Sequence, residues 1–198
     1  MQRTVYTIGH STHPRNEFFD LLSEHGITAL CDVRSVPYSR LHPYFNRKEL
    51  KAALQKRQVA YAFLGSELGA RSEDPSCYDH GRVQYSRLAG TKLFQKGLER
   101  VQNGMKKFRL VLMCAEKEPI ECHRAILVAR HLVALGIDVQ HIHEDGSLES
   151  HDNAMTRLAE LLRMPEENMF HSREDLLDDV YRRQEERIAP DRYFCHYS

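Results

Sequence analysis

The sequence has little that would take it out of the ordinary globular class. Lys plus Arg number 28 and Asp plus Glu number 28, so neither sign is in excess. That balance removes the global argument for extended polyanion or membrane-surface binding and leaves only local patches. No apolar run approaches the length of a bilayer-spanning helix, so no membrane partner is expected. The opening residues pass straight into a strand pattern with no signal-peptide apolar region, which makes the cytoplasm the expected compartment. The 5 cysteines include no C-x-x-C, too sparse a set for a disulfide scaffold, and reduced thiols are expected. There is no internal repeat and no low-complexity segment. Gly9-His10-Ser11 is at most a weak phosphate-loop signal, because neither G-x-G-x-x-G nor a Walker lysine is present.

What is present is enough for a core: 198 residues, 41% of them hydrophobic. Strand patterns at 5–8, 27–33, 59–64, 109–113 and 137–142 alternate with helical stripes such as Phe18, Leu21 and Leu22 or Phe94, Leu98 and Val101. Alternation of this kind predicts an α/β chain with a three-layer Rossmann-like fold. The sheet is expected to be mostly parallel, of about five strands, with helices on both faces and a C-terminal helical extension. Residues 1–162 read as the core domain and 163–198 as a helical tail packing on it, with Ser172 capping the last helix. Asn46 and Glu49 read as a capping pair, and residues 72–84 as a surface loop. Cys31 reads as core, whereas Cys77, Cys195, His25, His80, His131, His151, His171 and His196 read as surface or loop residues.

One stretch concentrates chemistry. The buried-strand run Leu110-Val-Leu-Met113 leads into Cys114-Ala-Glu116, and Cys122-His-Arg124 opens the next helix. A helix start offers free N–H groups and a positive dipole end, which favour anions and thiolates. In a parallel α/β sheet, ligands bind outside the carboxyl ends of the strands. His10, Ser11, Asp32, Arg34, Ser35, Arg71, Cys114, Glu116 and His143 all follow such ends. Cys114, Glu116, Cys122, His123 and Asp32 are therefore the catalytic candidates. His10, Ser11, Arg34, Ser35, Arg71, Arg124 and His143 are the candidates for holding an anionic substrate, the arginines because a guanidinium forks onto phosphate or carboxylate.

Each candidate has a plainer reading. The cysteines can be inert core thiols, metal ligands joined by His123, His143 or His10, or a catalytic thiolate or redox pair, and the last is favoured. Asp32 and Glu116 can form an acid/base pair. Equally, Asp32 can order its own loop and Glu116 can neutralise Arg124. No residue is assigned to a metal and no cofactor is identified, although a single zinc or iron ion is left open. The expected partner is a small anionic molecule, nucleotide-like or phosphate-bearing, handled by an enzyme. The alternatives are a metal-dependent version of that site or a non-catalytic nucleotide or nucleic-acid module. The last rests on Tyr38, Tyr44 and Phe45 interleaved with Arg40 and Arg47, and the charge balance disfavours it. A homo-oligomer is left open.

Several of these motifs together resemble the "domain of unknown function 488" family. They are Thr7-Ile-Gly-His-Ser11, Asp32-Val-Arg34 with Pro37 and Ser39, Glu67-Leu-Gly69, and Cys114-Ala-Glu116 with Cys122-His-Arg124. His141-Ile-His143 and Tyr181-Arg-Arg-Gln184 ahead of Ile188-Ala189 are similar to it as well. The tail departs from the family pattern at Ala189-Pro190. The resemblance implies an α/β domain with an active site and brings no agreed reaction.

Overall fold

A computed structural model of the chain describes residues 4–10, 13–164 and 172–192. In order, the elements are β1 (Thr4–Gly9), α1 (Arg15–Glu24), β2 (Ala29–Asp32), α2 (Arg47–Gln55), β3 (Ala60–Phe63) and α3 (Gly65–Leu68). Next come β4 (Tyr78–Asp79), β5 (Arg82–Val83), α4 (Tyr85–Ala89), α5 (Lys92–Met105) and β6 (Leu110–Cys114). A π-helical turn, Arg124–Ala129, runs into α6 (Arg130–Ala134), followed by β7 (Asp138–Ile142), β8 (Leu148–Ser150), α7 (His151–Leu161) and α8 (Arg173–Ile188).

The main sheet has the order β3-β2-β6-β1-β7-β8. Its first five strands are parallel and β8 pairs antiparallel with β7. Side chains alternate between its faces, as the period of two in a strand requires. Val5, Cys31, Leu110, Leu112 and Val139 join one apolar cluster with Phe94, Leu98 and Val101 of α5 and with Ile126 and Leu132. Tyr6, Ile8, Leu30, Val111 and Met113 join the other with Phe18 and Leu22 of α1 and Leu50 and Leu54 of α2. Each fully buried Leu, Val or Phe contributes roughly 1.5–3 kcal/mol relative to exposure. Both faces are therefore covered, which makes the three layers.

The order of the strands positions the site. From β1 the chain crosses to β2 by way of α1, on one face. From β6 it crosses to β7 by way of the π-helical turn and α6, on the other face. The two connections leave in opposite directions, and that opens a crevice between the carboxyl ends of β1 and β6.

The structure corrects some sequence expectations. To the five parallel strands an antiparallel sixth, β8, is added at the edge. Residues 72–84 hold the small β4–β5 hairpin. Asn46 makes no side-chain cap on α2; its Oδ1 accepts from the Ser39 N–H at 2.7 Å instead. Cys77 and His151 are buried, while Cys195, His171 and His196 lie outside the described residues. α8 opens with the full capping box of Ser172 and Asp175 and buries Val180, Tyr181 and Gln184. Among the described residues no helix is long and apolar enough to cross a membrane.

Candidate functional site

Two close backbone approaches shape the crevice. The His10 N–H donates to the Cys114 carbonyl at 3.0 Å. At Gly9 a Cβ would meet the Glu116 carbonyl at 1.9 Å, so only glycine lets the loop after β6 lie against β1. That loop turns through a 3₁₀ segment, Pro119–Glu121, and returns Cys122 to the level of Cys114. Arg124 holds the return. Its Nη1 donates to the Glu116 carbonyl at 2.6 Å and its Nη2 to the Lys117 carbonyl at 2.7 Å. The helix then begins with a π turn whose residues are all buried. Such turns are uncommon and gather at functional sites.

Four side chains meet there. Each sulfur, of Cys114 and of Cys122, lies 2.9 Å from Glu116 Oε2. His123 Nδ1 is 3.7 Å from Cys114 Sγ and 3.8 Å from Cys122 Sγ. The other ring nitrogen, Nε2, sits 3.1 Å from the Val33 carbonyl. A carbonyl only accepts, so Nε2 carries a proton and Nδ1 is left to face the sulfurs. The Arg124 amide N–H points at Cys122 Sγ at 3.4 Å.

Proton affinities in this group diverge. Burial raises the Cys122 thiol, but the Cys114 hydrogen bond and the Arg124 and His123 charges outweigh it and bring its pKa well below the ordinary cysteine value. For Cys114, burial, the hydrogen bond to Cys122 and the charges of Cys122 and Glu116 all act upward. Burial disfavours the His123 cation, yet the neighbouring thiolate, Glu116 and the Val33 carbonyl raise its pKa. Burial and the Cys122 charge raise Glu116, against the pull of His123. Because Glu116 opens to solvent, the thiolate is the firmer of its two causes. The result is one sulfur that gives up its proton readily, beside a histidine that holds its proton more firmly than usual and a second sulfur that keeps its own.

The cluster forms one wall of a cavity of about 620 Å³. Of the residues singled out in the sequence, His10, Arg34, Ser35, Arg71, Cys114, Glu116, Cys122 and His123 line it. Asp32 lies behind: its Oδ1 accepts from Arg34 Nε at 2.9 Å and its Oδ2 from Arg34 Nη2 at 2.6 Å and Tyr61 OH at 2.9 Å. It faces Arg34 and not Glu116. Arg124 is fully buried and holds carbonyls rather than the Glu116 carboxylate. His143 is turned to Glu149 at 3.0 Å, away from the cavity. Ser11 lies outside the described residues.

His10 has a defined form. Arg34 Nη1 donates to its Nε2 at 3.1 Å, and its ring stacks on Phe45 at 4.3 Å. Burial and the Arg34 charge lower its pKa to about 3, so it is a neutral ring with its proton on Nδ1. Of the loop aromatics only Tyr38 is well exposed; Phe45 is buried and Tyr44 donates to the His13 carbonyl. The sequence reading missed Tyr85, Ile188 and Pro190, which also line the cavity. They come from α4 and from the end of α8 and the residues just after it, and nothing in their residue types points to a site. The Val33 carbonyl, a backbone atom, could not be read from residue types either.

No curated protein and no solved structure matches the chain. The family model described as Domain of unknown function DUF488 matches residues 14–131. That span takes in Asp32, Arg34, Arg71 and the whole Cys114–Arg124 stretch, and it leaves out β1, His141–His143 and the α8 segment. With more than half of the chain matched, including the β2 and β6 exits that line the cavity, the chain belongs to the DUF488 family.

Proposed function

We propose that the protein is an enzyme acting on a small anionic molecule, nucleotide-like or phosphate-bearing, whose reacting bond is presented to Cys114, Glu116, Cys122 and His123. The observation that carries this reading is position. Two sulfurs, a carboxylate and an imidazole with a fixed tautomer stand together at the switch point of a parallel sheet, open to a cavity of about 620 Å³. A cavity of that size suits a small molecule. Arg40 and Arg71 bring positive charge to its lining. Arg34 is neutralised by Asp32 and contributes direction more than charge.

Within this reading the sulfurs can act in either of two ways. His123 Nδ1 at 3.8 Å from Cys122 Sγ is an arrangement of nucleophile and base. The same atoms are also a ligand set. A non-catalytic base-stacking module is less well supported, since Tyr44 and Phe45 are engaged inside the fold.

The test is incubation with a panel of phosphate- and carboxylate-bearing small molecules, with products followed by mass spectrometry. Conversion is expected in the wild type. Cys122→Ser and His123→Ala should each lower it by about 100-fold or more with little change in thermal midpoint. Full turnover in both variants would overturn the site, and binding without conversion would favour the module.

A further inference from the structure

The cluster has the features of a coordination sphere.

 The donor atoms of Cys114, Glu116, Cys122 and His123 all lie within 4.8 Å of one another, and His123 and Cys122 are each oriented by a backbone contact from outside the group. We propose that these four residues form a zinc site. The proposal rests on the reading of this cluster as the active site only for its location.

Three observations support it. First, a tetrahedral zinc ion with bonds of roughly 2.3 Å to sulfur and 2.0 Å to nitrogen holds those atoms roughly 3.6 Å apart. The two S···Nδ1 distances, 3.7 and 3.8 Å, meet that requirement. Glu116 Oε2 is closer to the sulfurs, at 2.9 Å, and draws back by a few tenths of an ångström or more to share an ion. As an exposed side chain on a loop it can do so.

Second, the outer contacts are those of ligands. The His123 Nε2–H donates to the Val33 carbonyl at 3.1 Å, which presents Nδ1 as the lone pair, the usual way a metal-binding histidine is oriented. The Arg124 N–H on Cys122 Sγ supports a coordinated thiolate.

Third, the charges balance. Two thiolates, one carboxylate and a divalent ion sum to one negative charge. Arg124 is fully buried, bonds to two carbonyls and makes no ion pair among the described residues. A buried cation needs an anionic partner nearby, and the single negative charge left on the loaded site keeps one beside it.

Cys114, Cys122 and His123 are the buried ligands, whereas Glu116 opens to the cavity. A closed structural site has no such exchangeable member. The ion would supply Lewis acidity to an oxygen drawn from that cavity.

Tag-free protein purified without chelator and measured by plasma mass spectrometry should carry about one zinc per chain. Cys114→Ser and Cys122→Ser should lose most of it, and Cys31→Ala, a core cysteine elsewhere, should keep it. As a readout that needs no substitution, the metal-stripped wild type is also titrated with cobalt(II). Tetrahedral ligand-field bands and a sulfur-to-cobalt charge-transfer band are expected. Absence of both zinc and those bands overturns the proposal, and one equivalent of iron overturns the choice of ion. Neither readout needs substrate. Protein that binds neither zinc nor cobalt yet turns over substrate sinks the zinc site and spares the active site; zinc-loaded protein that converts nothing does the reverse.

Discussion

Two buried polar clusters flank β1, and they close in different ways. On the β7 side, Thr7 Oγ1 meets His141 Nδ1 at 2.7 Å, His141 Nε2 meets His151 Nδ1 at 3.1 Å, and His151 Nε2 meets Tyr181 OH at 2.7 Å. Every ring nitrogen has a partner, all four residues are buried, and none lines the cavity. On the β6 side, Glu116 opens to solvent and the sulfurs face a cavity. His10 stands at the edge of that second group with Nε2 bonded and Nδ1 without a partner among the described residues. A buried histidine is thus no sign of a site in itself. The sign is a set of polar atoms that does not satisfy itself and is open on one side.

The largest expected effect comes from the support of the open cluster. Asp32→Asn leaves the Arg34 guanidinium, 4% exposed, without its carboxylate. Breaking a buried pair from one side costs about 3–5 kcal/mol. Urea denaturation should show that loss, and a change under about 1 kcal/mol would mean that the carboxyl edge is held no more firmly than a surface.

The closed cluster should reveal itself through pH. Burial lowers His141 well below the usual histidine value, with His151, Arg124, His143 and Arg157 adding to it. Burial also lowers His151, to about 4, against the charges of Asp152 and Glu149. Below the unfolded value of about 6.5 the unfolded chain takes up protons that the folded chain refuses. The stability from these neutral rings is therefore complete above pH 6.5 or so and drains away as pH falls toward 4. For His151 alone the swing is roughly 3 kcal/mol. Chemical denaturation at a series of pH values should give His151→Gln a flatter profile than the wild type by about that amount. Identical slopes would show that the pair is not held neutral.

Much of this was open to sequence reasoning because the signals were strong and local. Leu110–Met113 is an unbroken apolar run, and the stretch after it gathers Cys114, Glu116, Cys122, His123 and Arg124 within a few positions. What escaped depends on distant partners. β8 is three residues long, two of them polar, and exists by pairing with β7. His151 looks like a polar residue at a helix start, yet β7 and α8 enclose it. Arg124 sits beside Cys122 and His123 in sequence, and its guanidinium nevertheless turns to backbone carbonyls that no residue pattern records. Asn46 and Glu49 satisfied a capping pattern, but a nearer donor, the Ser39 N–H, took the Asn46 side chain.

The smallest effect isolates the end of the closed chain. Tyr181→Phe removes one hydroxyl and leaves His151 Nε2 without its partner, a loss of about 1 kcal/mol. The ring that remains still fills its place beneath Arg130, whose guanidinium lies 4.4 Å above it. α8 stays attached through Val180 and through Gln184, which donates to the Ile120 carbonyl at 2.7 Å. Denaturation should therefore register a modest shift, while metal content and turnover stay as in the wild type. The Gln184 bond lands on the loop between Cys114 and Cys122, so a different result has a clear meaning. If Tyr181→Phe lowered metal content or turnover, α8 would be transmitting strain to that loop, and the two clusters would be one coupled system rather than a closed support beside an open site.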